Sequence, residues 1–175
     1  MGDPGRTVNL MVSDQYIGEP DRFLARSHTK NGQVVYRYHF SYVTPAQRDG
    51  FGLAHGGEIG FVFGRSVATP EDTATSTAAN AYWAAFGKTG DPGSAGGPAW
   101  PKYDLKTDTV LEFGIDGINV RPGFHNDRLD WLEAHRAQVI ASAAAGGATT
   151  PGIGNTGRRG AAPPASTTTT PTTPR

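Results

Sequence analysis

One stretch of strict alternation constrains this chain more than any other feature. From Val34 to Val43, Val34, Tyr36, Tyr38, Phe40 and Tyr42 fall on one side, and Arg37, His39 and Ser41 fall on the other. Period two is the signature of a strand whose successive side chains point to opposite faces of a sheet. The β-branched and aromatic content suits such a surface. Two further strand candidates are Val110–Phe113 and Ile118–Val120, which flank Asp116-Gly117 and predict a hairpin, since Asp-Gly supplies the positive φ angles a tight turn needs. A lone strand and a hairpin do not make an independent α/β core, because such a sheet needs several strands covered by helices. The chain is therefore expected to be part of a larger sheet whose other strands lie elsewhere, and to show unpaired strand edges on its own.

Helical signals surround the strand. Glu19-Pro20-Asp21 opens a short helix carrying Phe23, Leu24 and Ser27-His28, and Asn31-Gly32 stops it. Thr69-Pro70-Glu71-Asp72 starts a longer helix, since Thr can cap, Pro suits the first turn, and acids sit at the positive end of the dipole. Ala74, Ala78, Tyr82, Ala85 and Phe86 form its expected apolar stripe, which ends near Gly87 to Gly90. A last helix is predicted from Asn126, with Leu129, Leu132 and Val139 facing inward. Thr44 to Gly57 and Asp91 to Gly97 read as loops.

Composition sets the domain boundary. From Gly146 onward the chain is almost entirely Gly, Ala, Thr, Pro, Ser and Arg, a mixture with nothing to bury against the entropy of ordering. Residues 1–145 are thus expected to form the folded segment and 146–175 a disordered tail. Lys and Arg total 16, as do Asp and Glu, so the net charge is zero and no basic field draws the chain to nucleic acid. Neither a nucleic acid nor a membrane is an expected partner, since no apolar run approaches a membrane span. With no cysteine, disulfides, zinc thiolates and a catalytic thiol are excluded. Met1 to Arg6 has neither the basic start nor the apolar core of a signal peptide, and the compartment stays open.

The most informative segment follows the strand. It runs Gly52-Leu53-Ala54-His55-Gly56-Gly57-Glu58-Ile59-Gly60-Phe61-Val62-Phe63-Gly64. Tyr82-Trp83-Ala84-Ala85-Phe86-Gly87-Lys88-Thr89-Gly90-Asp91-Pro92 and Pro98-Ala99-Trp100-Pro101-Lys102-Tyr103 come later. The first block resembles the histidine loop of type-B carboxylesterases and cholinesterases, and the other two resemble that family's next landmarks, in order and at the right spacing. The resemblance covers about Asp14 to Val120 and implies the C-terminal part of an α/β-hydrolase fold: helix, long sheet strand, histidine loop, helix, hairpin, helix.

The resemblance implies that His55 is the catalytic histidine of a Ser-His-acid esterase acting on a small-molecule ester. A serine hydroxyl is a poor nucleophile until a histidine within hydrogen-bond reach accepts its proton. An imidazole, with its unperturbed pKa near 6.5, can take and return that proton at neutral pH. Gly52, Gly56 and Gly57 flank His55 and would let the ring reach over the sheet edge. By resemblance the triad acid lies far upstream, so Glu58, like Gly56, is a supporting residue. No cofactor or metal is implied: His55 and Glu58 could pair on a metal, but no third ligand lies at suitable spacing.

Two segments imitate other esterase motifs. Gly93-Ser94-Ala95-Gly96-Gly97 is close to a Gly-x-Ser-x-Gly elbow, but Pro92 precedes it and a helix leads into it where a strand is required. Ala54-His55-Gly56-Gly57 is close to a His-Gly-Gly oxyanion loop, but Glu58 replaces the next glycine. The other histidines have plain expectations: His28 at a helix end, His39 on a polar strand face, His125 and His135 beside or on the last helix. Trp83, Phe86, Trp100 and Tyr103 are expected to pack the long helix against the sheet. Gly60 stands where the resembling loops often carry Pro or an acid, which would loosen this one. No segment resembles the family's nucleophile elbow, oxyanion glycines or triad acid. The chain is thus expected to supply the histidine to the upstream part of the same esterase and to be inactive alone. The competing reading is a non-enzymatic cholinesterase-like binding module or an inactive remnant; the retained His55 argues against the binding module.

Overall fold

A computed structural model of the chain describes residues 3–145. The tail reading for residues 146–175 falls outside the described residues. The elements are α1 (Pro4–Ser13), a π-helical turn (Asp14–Gly18), α2 (Glu19–Lys30), β1 (Tyr38–Phe40), a 3-10 turn (Pro45–Gln47), α3 (Glu58–Val62), α4 (Pro70–Thr89), β2 (Val110–Gly114), β3 (Gly117–Arg121), α5 (Asn126–Ala134) and α6 (Arg136–Ala145). The sheet has three strands in the order β1-β2-β3. β1 runs parallel to β2, pairing Tyr38 with Leu111 and Phe40 with Phe113, while β2 and β3 form the predicted antiparallel hairpin. The hairpin's left-handed angle falls on Gly117, at φ +105°, and not on Asp116.

The long strand expected over Val34–Val43 keeps regular pairing only at Tyr38–Phe40. Among the described residues only β2 lies beside it. The flanking extended backbone is held piecemeal: Tyr103 N–H donates to the Val35 carbonyl at 2.8 Å, and Ser41 and Tyr42 N–H both donate to the Phe113 carbonyl at 2.9 and 2.8 Å. The predicted alternation nonetheless holds. On one face Tyr36 and Phe40 pack against a core of Val62, Ala79, Tyr82, Trp100, Leu111 and Phe113. On the other, Arg37 is buried, His39 meets Phe124 and His125, and Ser41 donates to Glu112 at 2.7 Å.

α4 begins as predicted, with a reciprocal capping box between Thr69 and Asp72, and it ends at Gly90 with φ +75°. Its buried residues are Asp72, Ser76, Ala79 and Tyr82, so of the expected stripe Tyr82 is buried, Ala78 and Ala85 are half buried, and Ala74 and Phe86 are exposed. The polar members are buried because each is satisfied: Asp72 accepts from the Tyr42 hydroxyl at 2.7 Å, and the Ser76 hydroxyl donates to the Phe61 carbonyl. Of the four aromatics expected between helix and sheet, Trp83 and Trp100 do lie against Phe113, with centroids 5.8 and 6.1 Å away. Phe86 stays half exposed, and Tyr103 is buried in an ionic cluster instead.

That cluster fastens α2 to the sheet. α2 forms where predicted, yet Phe23 and Leu24 are exposed and the buried residues are Glu19, Arg22 and Ala25. Arg22 and Arg37 both donate to Asp108, which also accepts from the Tyr103 hydroxyl at 2.8 Å. The last helix breaks at His135 into α5 and α6; Leu129 is buried, and Leu132 and Val139 are half buried. α1 has no counterpart in the expected elements, although Asp3 caps it and Pro4 opens it. No helix among the described residues is long and apolar enough to cross a membrane.

Candidate active site

His55 sits in a tight turn between the loop after β1 and the first residue of α3. Its side chain is exposed. The turn closes through Gly57 N–H donating to the Ala54 carbonyl at 2.8 Å, and Ile59 N–H donating to the Gly56 carbonyl at 3.2 Å. Gly56 has φ +76°, a conformation that glycine adopts without the Cβ clash of other residues. At Gly57 the requirement is space. A Cβ there would lie 2.6 Å from Leu53 Cγ and 2.9 Å from the Ala54 carbonyl oxygen.

Behind the turn, α3 is a short helix clamped to α4. Phe61 and Val62 are buried, and their carbonyls accept from Ser76 and Asn80, the latter at 2.9 Å. Gly60 is tied to the residues that follow α3 and has no room for a side chain. Its carbonyl accepts from Arg65 and Ser66 N–H at 2.7 and 3.1 Å, and a Cβ would overlap Ser66 Oγ at 1.9 Å. At the near end of α3, Glu58 Oε1 accepts a hydrogen bond from the Tyr38 hydroxyl at 3.3 Å. Burial, and then the Glu58 carboxylate, push the Tyr38 phenol up to about 12, so it remains a donor across the neutral range. Tyr38 was legible only as a strand residue; nothing in the sequence joined it to Glu58.

Ser94 lies in an exposed turn that follows α4, and no strand leads into it. The glycine after it serves packing: a Cβ on Gly96 would lie 2.3 Å from the Ala78 carbonyl oxygen and 2.5 Å from the Tyr82 ring. A pair of histidines, His39 and His125, lies on the opposite sheet face from Tyr38. His39 and His125 meet edge to face at 5.5 Å, with Phe124 beside both. Burial lowers the pKa of His39, and proximity to His125 lowers it further; burial and then Arg128 lower that of His125. Among the described residues, no three His, Asp or Glu side chains gather as metal ligands would.

The described residues thus present part of an α/β sheet with an exposed histidine on a glycine turn after a strand. The chain matches the carboxylesterase family over residues 3–131, further in both directions than the Asp14–Val120 resemblance. It is 34% identical over 115 residues to carboxylesterase 1D of Rattus norvegicus, covering 59% of this chain and 20% of that protein. It is 37% identical over 110 residues to acetylcholinesterase 1 of Caenorhabditis elegans, covering 55% and 18%. The crystal structure of carboxylesterase EST55 of Geobacillus stearothermophilus at pH 6.8 superposes with a TM-score of 0.50 at 28% identity, covering 59% of this chain and 23% of that one. This chain belongs to the carboxylesterase family, and its fold is a portion of the α/β-hydrolase fold. It spans about a fifth of the length of the curated relatives it matches.

Proposed function

We propose that this chain supplies the proton-transfer histidine, His55, of a serine carboxylesterase whose nucleophile, triad acid and oxyanion donors lie in the upstream part of the same enzyme. The observation that carries the reading is the exposed imidazole on a turn built from two glycines, one needed for its backbone angle and the other for its contact with Leu53. Exposure leaves the ring free to meet a serine from another strand. The turn and the clamped α3 hold it in one place, which is what proton transfer within hydrogen-bond distance requires. Membership of the carboxylesterase family supplies the reaction class. In acylation His55 takes the serine proton as the hydroxyl attacks the ester carbonyl, and it then protonates the leaving alcohol. In deacylation it takes a proton from water as the water attacks the acyl-enzyme carbonyl, and returns it to the departing serine oxygen, releasing the acid. Glu58 and Gly56 support the turn and take no part in proton transfer.

The experiment uses p-nitrophenyl butyrate hydrolysis. The 175 residues alone should turn over no faster than free imidazole, with or without Ser94→Ala. In a full-length carboxylesterase carrying this chain, His55→Ala should lower kcat by roughly 10⁴-fold or more. Activity of the isolated chain that Ser94→Ala abolishes would overturn the reading. So would full activity after His55→Ala.

A further inference from the structure

The His55 turn is held at its far end by α3 on α4, but the near end of α3 has a separate anchor on the sheet. Tyr38 is the first residue of β1 and pairs with the fully buried Leu111. Its ring is gripped edge-on by Trp83 at 5.0 Å and by Trp100 at 6.0 Å. Trp100 is in turn bolted to the same strand, since its indole N–H donates to the Arg37 carbonyl at 2.9 Å. Tyr38 is 38% exposed, and the two indoles with the strand pairing orient its ring so that the hydroxyl points toward Glu58. From it the hydroxyl reaches Glu58, three residues beyond His55 and within the hydrogen-bonded turn that Gly56 and Ile59 close.

We infer that Tyr38 is a positioning residue for the esterase reaction: by donating to Glu58 it ties the start of α3 to the sheet and so sets where the His55 imidazole stands. The inference rests on His55 being the proton-transfer residue. α3 has only five residues, too few to hold its own direction without contacts at both ends. Ser76 and Asn80 supply the contacts at Phe61 and Val62, and Tyr38 supplies the one at Glu58. Without the Tyr38 contact, α3 can pivot about its buried end and carry the glycine turn with it. Misplacing a reacting group by about 1 Å can cost on the order of 10²-fold in rate, and a partial pivot costs less.

The test uses a full-length carboxylesterase carrying this chain, with kcat and KM for p-nitrophenyl butyrate and the melting temperature measured for each variant. Tyr38→Phe keeps the ring between the indoles and removes only the hydroxyl. It should lower kcat about tenfold while KM stays within about twofold. Glu58→Ala should cost as much, and the double variant should be no worse than the weaker single, because the two groups act through one bond. Glu58→Gln, whose amide oxygen can still accept from Tyr38, should recover most of the rate. Wild-type kcat in Tyr38→Phe, losses that multiply in the double variant, or a rate loss that follows a fallen melting temperature would each overturn the inference. His55→Ala separates the two levels. If it is inactive while Tyr38→Phe is silent, only the anchor falls; if it is fully active, the esterase reading and the anchor fall together.

Discussion

Asp108 is the residue whose neutralisation should cost this chain most. Its carboxylate is 3% exposed and serves Arg22, Arg37 and the Tyr103 hydroxyl at once, with Arg26 at 3.8 Å. Asp108→Asn preserves volume and tolerates the left-handed backbone found there, at φ +46°. The substitution therefore isolates the loss of charge. Removing one partner of a buried ion pair typically costs about 3–5 kcal/mol, because the other charge is left uncompensated. Here the low end applies: Arg22 keeps Asp130, and Arg37 keeps Asp21 at 3.0 Å. In a full-length carboxylesterase carrying this chain, a loss of about 3 kcal/mol should lower the melting temperature by several degrees. Circular dichroism melts at neutral pH measure it directly. Asp116→Asn is the control, since Asp116 pairs with Arg121 in solvent and should shift the melt by no more than about 1 °C. Equal shifts for the two variants would refute the argument that burial is what gives the Asp108 cluster its weight.

Acid should weaken the fold through His39 and His125. Both pKa values are lowered in the folded chain, so below about pH 6.5 the unfolded chain binds protons more readily and stability falls with pH. Glu112, Asp14 and Arg37 also face His39, and Asp127 and Arg128 face His125. His125→Asn, which tolerates the φ of +58° there, should flatten the fall in melting temperature between about pH 7.5 and 5.5; an unchanged slope would count against it. Gly96→Ala should destabilise the chain by about 1–3 kcal/mol through overpacking against Ala78 and Tyr82, read as a lower urea midpoint.

Local signals in the sequence carried some elements and not others. α4 was legible because Thr69, Pro70 and Asp72 are neighbours whose capping chemistry needs nothing from the rest of the molecule. α1 was missed although Asp3 and Pro4 mark its start, because no residue in it is buried and it offers no inward stripe to read. On the inward face of α4 Tyr82 was legible but Asp72 and Ser76 were not, because apolar periodicity cannot register polar residues that are buried by virtue of distant partners. The ionic cluster is harder still: Arg22 lies 86 positions from Asp108, and Arg37 lies 71. At the site, His55 stood out through its flanking blocks. The contact between Tyr38 and Glu58 depends on how a strand and a helix start approach each other, which no short-range pattern encodes.

The parallel pairing of β1 with β2 sets a timetable for biosynthesis. Ser41 and Glu112, joined by a side-chain hydrogen bond, are 71 positions apart, and the His55 turn, α3 and α4 all lie between them. At roughly 5–20 residues per second, a ribosome delivers Glu112 some 4–14 s after Ser41. Throughout that interval Tyr36, Tyr38 and Phe40 are outside the ribosome without the strand that seats them. Exposed apolar side chains of this kind favour aggregation, and any translational pause between the two strands prolongs the exposure. Synonymous codon changes in this interval should therefore alter the yield of soluble protein without altering a single residue of it.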